Sequence, residues 1–278
     1  MSSVVNNYFD NVNIKWNNNP FPHAVIDNFL PIETFEKISL GLDEVRNFKS
    51  IRAHFTSYLE KNKKVYGDED LNENLKLPIS ILGGNDLKKI FENFLNIKSM
   101  TSLTDVPNYG GYYPFHVMDK NGFLGVHIDH GHNKDFSKIH VANSIYYASR
   151  DWNDKWGGET FFFNSTGTKI VKKINPIPNR LVLFIHSANS FHAVNKISGP
   201  SNYQRMTYYM DYYADEKDLK KIYKSNPTLK YCFHPTTFIP FFPLGFNNFK
   251  IKYLFKKENF FYLKNYIKYL FLKYLITY

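Results

Sequence analysis

At 278 residues the chain can bury a sizeable core as one main domain with an appendage, and its 26 Phe and 21 Tyr favour packed β layers over a helical bundle. The net charge of +10 is unevenly placed: Leu219 to Tyr278 holds eleven Lys against one acidic residue, Glu258, so the body is near neutral and no nucleic-acid role is indicated for it. A single cysteine, Cys232, excludes an internal disulfide framework, argues against a Cys-based zinc site and makes a reducing, cytoplasmic setting the expectation.

The opening stretch, MSSVVNNYFDNVNIKWNNN, is polar and Asn-rich, with no basic region followed by an apolar run, so no signal peptide is expected. In NPFPHAVIDNFLP (19–31) prolines bracket a short strand, His23–Asp27, and Pro31 opens a helix whose apolar positions Ile32, Phe35, Ile38 and Leu42 recur at helical spacing. Residues 47–80 are mixed, and the charged run Lys61–Asp70 reads as a solvated turn or, less simply, a mobile lid. Asn85 is placed to cap a second helix, Asp86–Lys98, with Leu87, Ile90, Phe91, Phe94 and Leu95 on one face.

After Met100 short strands follow one another between turn residues, near 103–118, 123–129, 139–148, 159–163, 168–173, 181–186, 191–195 and 204–213, which reads as a sandwich or barrel. Lys217–Lys224 is expected to be a short helix and 233–249 an irregular connection. Lys250–Tyr278 alternates Lys with aromatic and aliphatic residues as an amphipathic helix does. Docking on the domain is the favoured reading of it; dimerisation and peripheral contact with an anionic membrane surface are the others. No run of about 18 uncharged apolar residues is present to cross a bilayer. The division expected is 1–99 for lead-in and supporting helices, 100–214 for the β core and 215–278 for the extension.

The segment GFLGVHIDH (122–130) sets His127 and Asp129 two residues apart in a strand-like stretch, so both side chains point to one face. An imidazole and a carboxylate so placed supply two ligands of a 2-His-1-carboxylate triad, the arrangement suited to non-haem Fe(II). The third must come from a strand well downstream. His192 and His186, both in NRLVLFIHSANSFHAV (179–194), compete for it. His192 is preferred, because LVLFI is a buried strand ending near His186 and the SANS turn then starts a new strand at Phe191–Val194. Further on, Arg205 and Thr207 share one face of the strand Gln204–Asp211. A guanidinium in the aromatic run YQRMTYYM is costly to bury without an anionic partner, and with a hydroxyl beside it the pair suits a carboxylate.

These pieces, GFLGVHID, SIYYASRDWNDKWGGETFFF (144–163), NRLVLFIHSANSFHAV and QRMT, taken in order, resemble the 2-oxoglutarate- and Fe(II)-dependent dioxygenase superfamily, and within it the prolyl 4-hydroxylase-like branch. The resemblance covers roughly residues 100–213, and PFPHAVIDNFLP also looks like the entry common in that branch. It implies a mainly β fold with helical supports: a double-stranded β-helix (jelly-roll) core packed against N-terminal helices, plus a helical C-terminal extension. It implies Fe(II) on His127, Asp129 and His192, 2-oxoglutarate and O2 as co-substrates, Arg205 with Thr207 on the distal carboxylate, and L-ascorbate as a reductant. Tyr147 matches a family position facing the co-substrate, Asn143 shares its face by alternation, and Trp156-Gly157-Gly158-Glu159 matches a hairpin assigned to structure. The implied activity is a hydroxylase coupling decarboxylation of 2-oxoglutarate to succinate with C–H hydroxylation. A non-catalytic cupin-like metal or small-ligand binding module is the alternative, but it leaves Arg205 unexplained.

A tyrosine often lines the pocket ahead of the His-x-Asp in hydroxylases of the peptidyl-prolyl kind; here PFHVMDKNGF puts His116 or Val117 near that position. His116, with His130 and His132 in HGHNKDFSK, are the candidate substrate contacts, a plain polar loop being the other reading of the last two. Small-molecule, amino-acid, peptide and glycan substrates all remain open, as does the oligomeric state.

Overall fold

The computed structural model describes residues 14–47, 53–106, 113–133, 138–226, 229–231, 236–239, 255 and 257–275. In chain order the elements are β1 (His23–Ile26), α1 (Ile32–Leu42), β2 (Ala53–Thr56), β3 (Glu60–Tyr66), α2 (Glu73–Leu82), α3 (Asn85–Leu95), β4 (Thr101–Ser102), β5 (Phe115–Ile128), β6 (His132–Asn133), β7 (Lys138–Tyr147), β8 (Thr160–Phe163), β9 (Ile170–Ile174), β10 (Arg180–Ile185), β11 (His192–Val194), β12 (Arg205–Asp215), α4 (Glu216–Ser225), β13 (Thr237–Phe238) and α5 (Lys257–Leu275).

The strands pair antiparallel along the path β1-β10-β7-β12-β5-β11-β8-β9, with β3 added to β5. This is a jelly-roll core with helical additions, and β5 is its spine. Its first residues pair with β12, Arg205 opposite Met118 and Thr207 opposite His116. Its later residues pair with β11, which sets His192 opposite His127. One strand therefore carries the two ends of the site.

Strand β12 shows how the pleat divides labour. Met206, Tyr208, Met210 and Tyr212 join the hydrophobic core beneath the helices, whereas Arg205, Thr207, Tyr209 and Asp211 line a cavity on the opposite face. Against the first set pack Leu75 and Ile79 of α2 and Leu87, Phe91 and Leu95 of α3, all within the same core. The Phe91 ring lies 4.7 Å from that of Tyr212, whose hydroxyl donates to the Leu82 carbonyl at 2.6 Å and so ties helix to sheet. A second core, of Val126, Ile128, Phe163, Phe191 and Ala193, receives Tyr269 of α5.

Several expectations change. The described part of 47–80 holds the β2–β3 hairpin, which makes Lys61–Tyr66 strand rather than loop or lid, and α2, capped by the Asn72 side chain accepting from Leu75 N–H. With β1 on β10 and β3 on β5, strands from before residue 100 belong to the sheet. The strand expected from residue 103 begins at Phe115, because Leu103–Asp105 form a 3-10 turn. It then runs unbroken to Ile128 through Asn121, whose positive φ bends it without ending it. Helix α3 is preceded by Gly84 rather than capped by Asn85, and closes on Asn96 in the left-handed region. Most of 233–249, and the ends of the Lys250–Tyr278 segment, lie outside the described residues.

Candidate metal centre and co-substrate site

Strand pairing brings His127, Asp129 and His192 together, with one ligand atom from each within 4.8 Å of the others. His127 Nε2 lies 3.3 Å from Asp129 Oδ1, and His192 Nε2 lies 3.4 Å from Asp129 Oδ2. Each imidazole has its other nitrogen on a backbone carbonyl: Nδ1–H of His127 donates to Gly125 O at 2.9 Å, and Nδ1–H of His192 to Ser190 O at 2.9 Å. These bonds set the tautomers, so both Nε2 lone pairs face the carboxylate. Burial and the neighbouring His127 push His192 down to about 4, which keeps it neutral at pH 7. Burial raises the Asp129 carboxyl, but the attraction of His192 and His127 in their protonated forms outweighs it and holds the group well below the usual carboxylate range. Two imidazole nitrogens and a carboxylate oxygen thus converge, a donor set that fits a divalent cation such as Fe(II). His186, the rival candidate, sits one layer behind, with its Nε2 3.0 Å from the Asp129 carbonyl oxygen.

The triad opens into a cavity of about 440 Å³. Arg205 lies on its wall, 3 % exposed. Its Nε–H donates to Gly158 O at 2.8 Å, and its terminal nitrogens to the hydroxyls of Thr207 at 3.3 Å and Thr160 at 3.2 Å. Among the described residues no carboxylate pairs with it. A buried guanidinium held by neutral acceptors is positioned for an anion from outside the chain. The hairpin expected to be structural contributes directly here, since Gly158 supplies the acceptor that aims Arg205.

Asn143 donates from Nδ2 to Asp129 Oδ2 at 3.0 Å and to Asp211 Oδ1 at 3.3 Å, and it lines the cavity. Tyr147 shares the inward face but does not reach the cavity; its ring lies under the Arg205 guanidinium at 5.1 Å and its hydroxyl bonds Thr160 at 2.6 Å, so it supports the arginine. His116 faces the cavity with its ring 4.4 Å from that of Tyr209. Burial, then the charges of Lys63 and Arg205, hold it well below its ordinary pKa and therefore neutral. His130 also lines the cavity, its Nε2 2.8 Å from the Tyr213 hydroxyl. His132 falls in β6, and its side chain lies outside the described residues.

Sequence reasoning missed two groups. One is the wall contributed by the β2–β3 hairpin: Phe55, Glu60 and Lys63, with the ammonium paired to Glu60 and 4.7 Å from the centre of the Phe55 ring. The other is the pair His140 and Asp211, which form a polar cluster behind the triad with His130, a residue the sequence had already offered. The two ring nitrogens of His140 lie 2.8 Å from His130 O and 3.1 Å from Ala142 O, so that ring is committed to backbone. Burial raises the Asp211 carboxyl to about 7. Only alternation on β7 and β12 could have placed His140 and Asp211 near the site, and neither sits in a recognisable motif.

Residues 113–210 match the model of the 2OG-Fe(II) oxygenase superfamily. Across these residues the chain is similar to that superfamily, whose members are dioxygenases using Fe(II), 2-oxoglutarate and O2. Among solved structures it is similar to a Pseudomonas putida prolyl-4-hydroxylase, at 13 % identity and a TM-score of 0.50 over 70 % of this chain and 92 % of that one, which shows a shared fold. A Trichoplax adhaerens prolyl hydroxylase, solved with a peptide fragment of the hypoxia inducible factor oxygen degradation domain, aligns at 18 % identity and a TM-score of 0.46, over 70 % of this chain and 84 % of that one. A search of curated proteins gave no match. No helix among the described residues is long and apolar enough to cross a membrane.

Proposed function

We propose that His127, Asp129 and His192 hold Fe(II), that Arg205 with Thr207 binds the distal carboxylate of 2-oxoglutarate, and that the protein couples decarboxylation of this co-substrate to succinate with hydroxylation of a C–H bond in a second substrate. When bound, the iron supplies activation of O2. The protein's own part is to orient the triad through the Gly125 and Ser190 carbonyls, to keep His192 neutral and to fix the co-substrate in the cavity. The observation that carries the reading is Arg205: a guanidinium 3 % exposed, with no acidic partner among the described residues, on the wall of the cavity that holds the triad. A cupin-like binding module has no use for it.

The prime substrate is bounded by His116, His130, Phe55 and the Glu60–Lys63 pair, a wall that suits a polar small molecule, amino acid, peptide or glycan. L-ascorbate as reductant follows from the branch, and the single cysteine suits a reducing compartment such as the cytoplasm. The functional division runs from supporting residues 1–99 through the catalytic core 100–214 to the extension 215–278, with β1 and β3 lent to the core. Succinate release from 2-oxoglutarate under air, with Fe(II) and ascorbate, tests the reading. Wild type should exceed His192→Ala even without prime substrate; equal rates would overturn it.

A further inference from the structure

Helix α5 leaves a band of large apolar side chains uncovered among the described residues: Phe260 is 68 % exposed, Phe261 64 %, Ile267 58 %, Phe271 57 %, Tyr274 65 % and Leu275 67 %. At about 100° per residue these six fall on one arc roughly 140° wide, and the exposed Lys257, Lys264 and Lys268 fall on the same arc. The face is fixed rather than loose. Its opposite side is seated on the second core through Tyr269, whose hydroxyl donates to the Ala188 carbonyl, and through Lys273, whose Nζ donates to Ser165 O at 2.7 Å.

A soluble domain spends its apolar residues inward, so a docked helix with a second apolar face is built for a partner. The lysines decide which. Two copies of this face laid together would press like charges into an apolar contact with no carboxylate on the face to offset them, which opposes self-association. Single-stranded nucleic acid would satisfy the ammonium groups and stack on the rings, but it offers nothing to Ile267 and Leu275. An anionic bilayer surface supplies both: phosphate and carboxylate headgroups for Lys257, Lys264 and Lys268, and acyl chains just below for the Phe, Ile and Leu side chains. The helix is too polar to span, so it would lie in the interfacial plane.

We propose that the outward face of α5 docks the protein on an anionic membrane surface. The same helix packs against the wall of the cavity, with Tyr262 5.2 Å from Phe238 and Phe238 stacked 5.2 Å from His127. Membrane capture therefore brings the candidate metal centre to the bilayer. The lysine-rich segment that precedes the helix in sequence adds to the attraction.

Sedimentation of the full chain with vesicles tests this. At physiological salt the protein should pellet with phosphatidylcholine vesicles containing 30 mol % phosphatidylserine and stay in solution with phosphatidylcholine alone. The pairs Phe261→Ser/Phe271→Ser and Lys264→Glu/Lys268→Glu should each lose at least about tenfold in vesicle affinity while keeping the wild-type near-UV circular dichroism and metal binding, because all four side chains point away from the core. The proposal is overturned if wild type ignores anionic vesicles or if both variants bind as wild type does. It is equally overturned if the substitutions abolish a dimer seen by analytical ultracentrifugation, or binding to a single-stranded oligonucleotide, and leave vesicle binding intact.

Discussion

Replacing Arg205 by Met separates the cost of folding from the cost of function. In the folded protein the substitution removes one good hydrogen bond, to Gly158 O at 2.8 Å, and two long ones to Thr207 and Thr160. The good bond contributes about 1 kcal/mol and the others less. Against this, a guanidinium 3 % exposed and without an acidic partner among the described residues no longer has to be desolvated, and Met fills much of the same space. The two effects nearly cancel, so Tm should move by no more than about 5 °C. Binding of 2-oxoglutarate is another matter. A charge-assisted, bidentate contact with this buried guanidinium is worth roughly 2–4 kcal/mol, which predicts an affinity about 30- to 800-fold weaker. Calorimetric titration of 2-oxoglutarate into Mn(II)-loaded wild type and Arg205→Met, beside their melting curves, reads both quantities. An affinity within threefold of wild type would refute the assignment of Arg205, and a collapse in stability would refute the balance of terms.

Tyr212→Phe should destabilise by about 1–3 kcal/mol in denaturant titrations, because it strands the Leu82 carbonyl that its hydroxyl satisfies at 2.6 Å under α2 and α3. Gly157 has a φ of 70° and a Cβ there would run into the Lys196 carbonyl oxygen, so Gly157→Ala should shift the hairpin that presents Gly158 to Arg205 and weaken 2-oxoglutarate binding more than it lowers Tm. The Asp211 carboxyl, raised by burial to about 7, makes the folded state hold a proton that the unfolded chain releases near pH 4. Its penalty is absent below pH 4, grows through pH 4–7 and is complete above 7, so Asp211→Asn should gain on metal-free wild type by roughly 2–3 kcal/mol between pH 5 and pH 8. Parallel stability curves for the two proteins would contradict this.

The core was readable because its strands are regular. Alternation put His127 of β5 and Asp129, just past its end, on one face and Arg205 and Thr207 on one face of β12, and the SANS turn distinguished His192 from His186. What stayed hidden broke the local rules. Asn62 adopts a positive φ where β3 slips register, so a lysine-rich strand looked like a loop. Pro78 sits inside α2 and reads as a breaker. Asn121-Gly122 reads as a turn, although the strand bends there and continues. Lys63 is buried with its ammonium paired to Glu60 and over the Phe55 ring, contacts that burial rules for lysine do not anticipate. His140 of β7, Asp211 of β12 and His186, just past the end of β10, come together, and nothing in any one of these segments announces it.

Anaerobic titration with Fe(II) and 2-oxoglutarate tests the central claim, that the triad and Arg205 form one site. Wild type should develop the weak visible charge-transfer band of a 2-oxo acid bound at Fe(II), saturating at one equivalent of metal. His192→Ala should lose the band through loss of iron, and Arg205→Met should need far more 2-oxoglutarate to reach it. A folded wild-type protein that binds iron without developing the band, or a band untouched by both substitutions, would contradict the account.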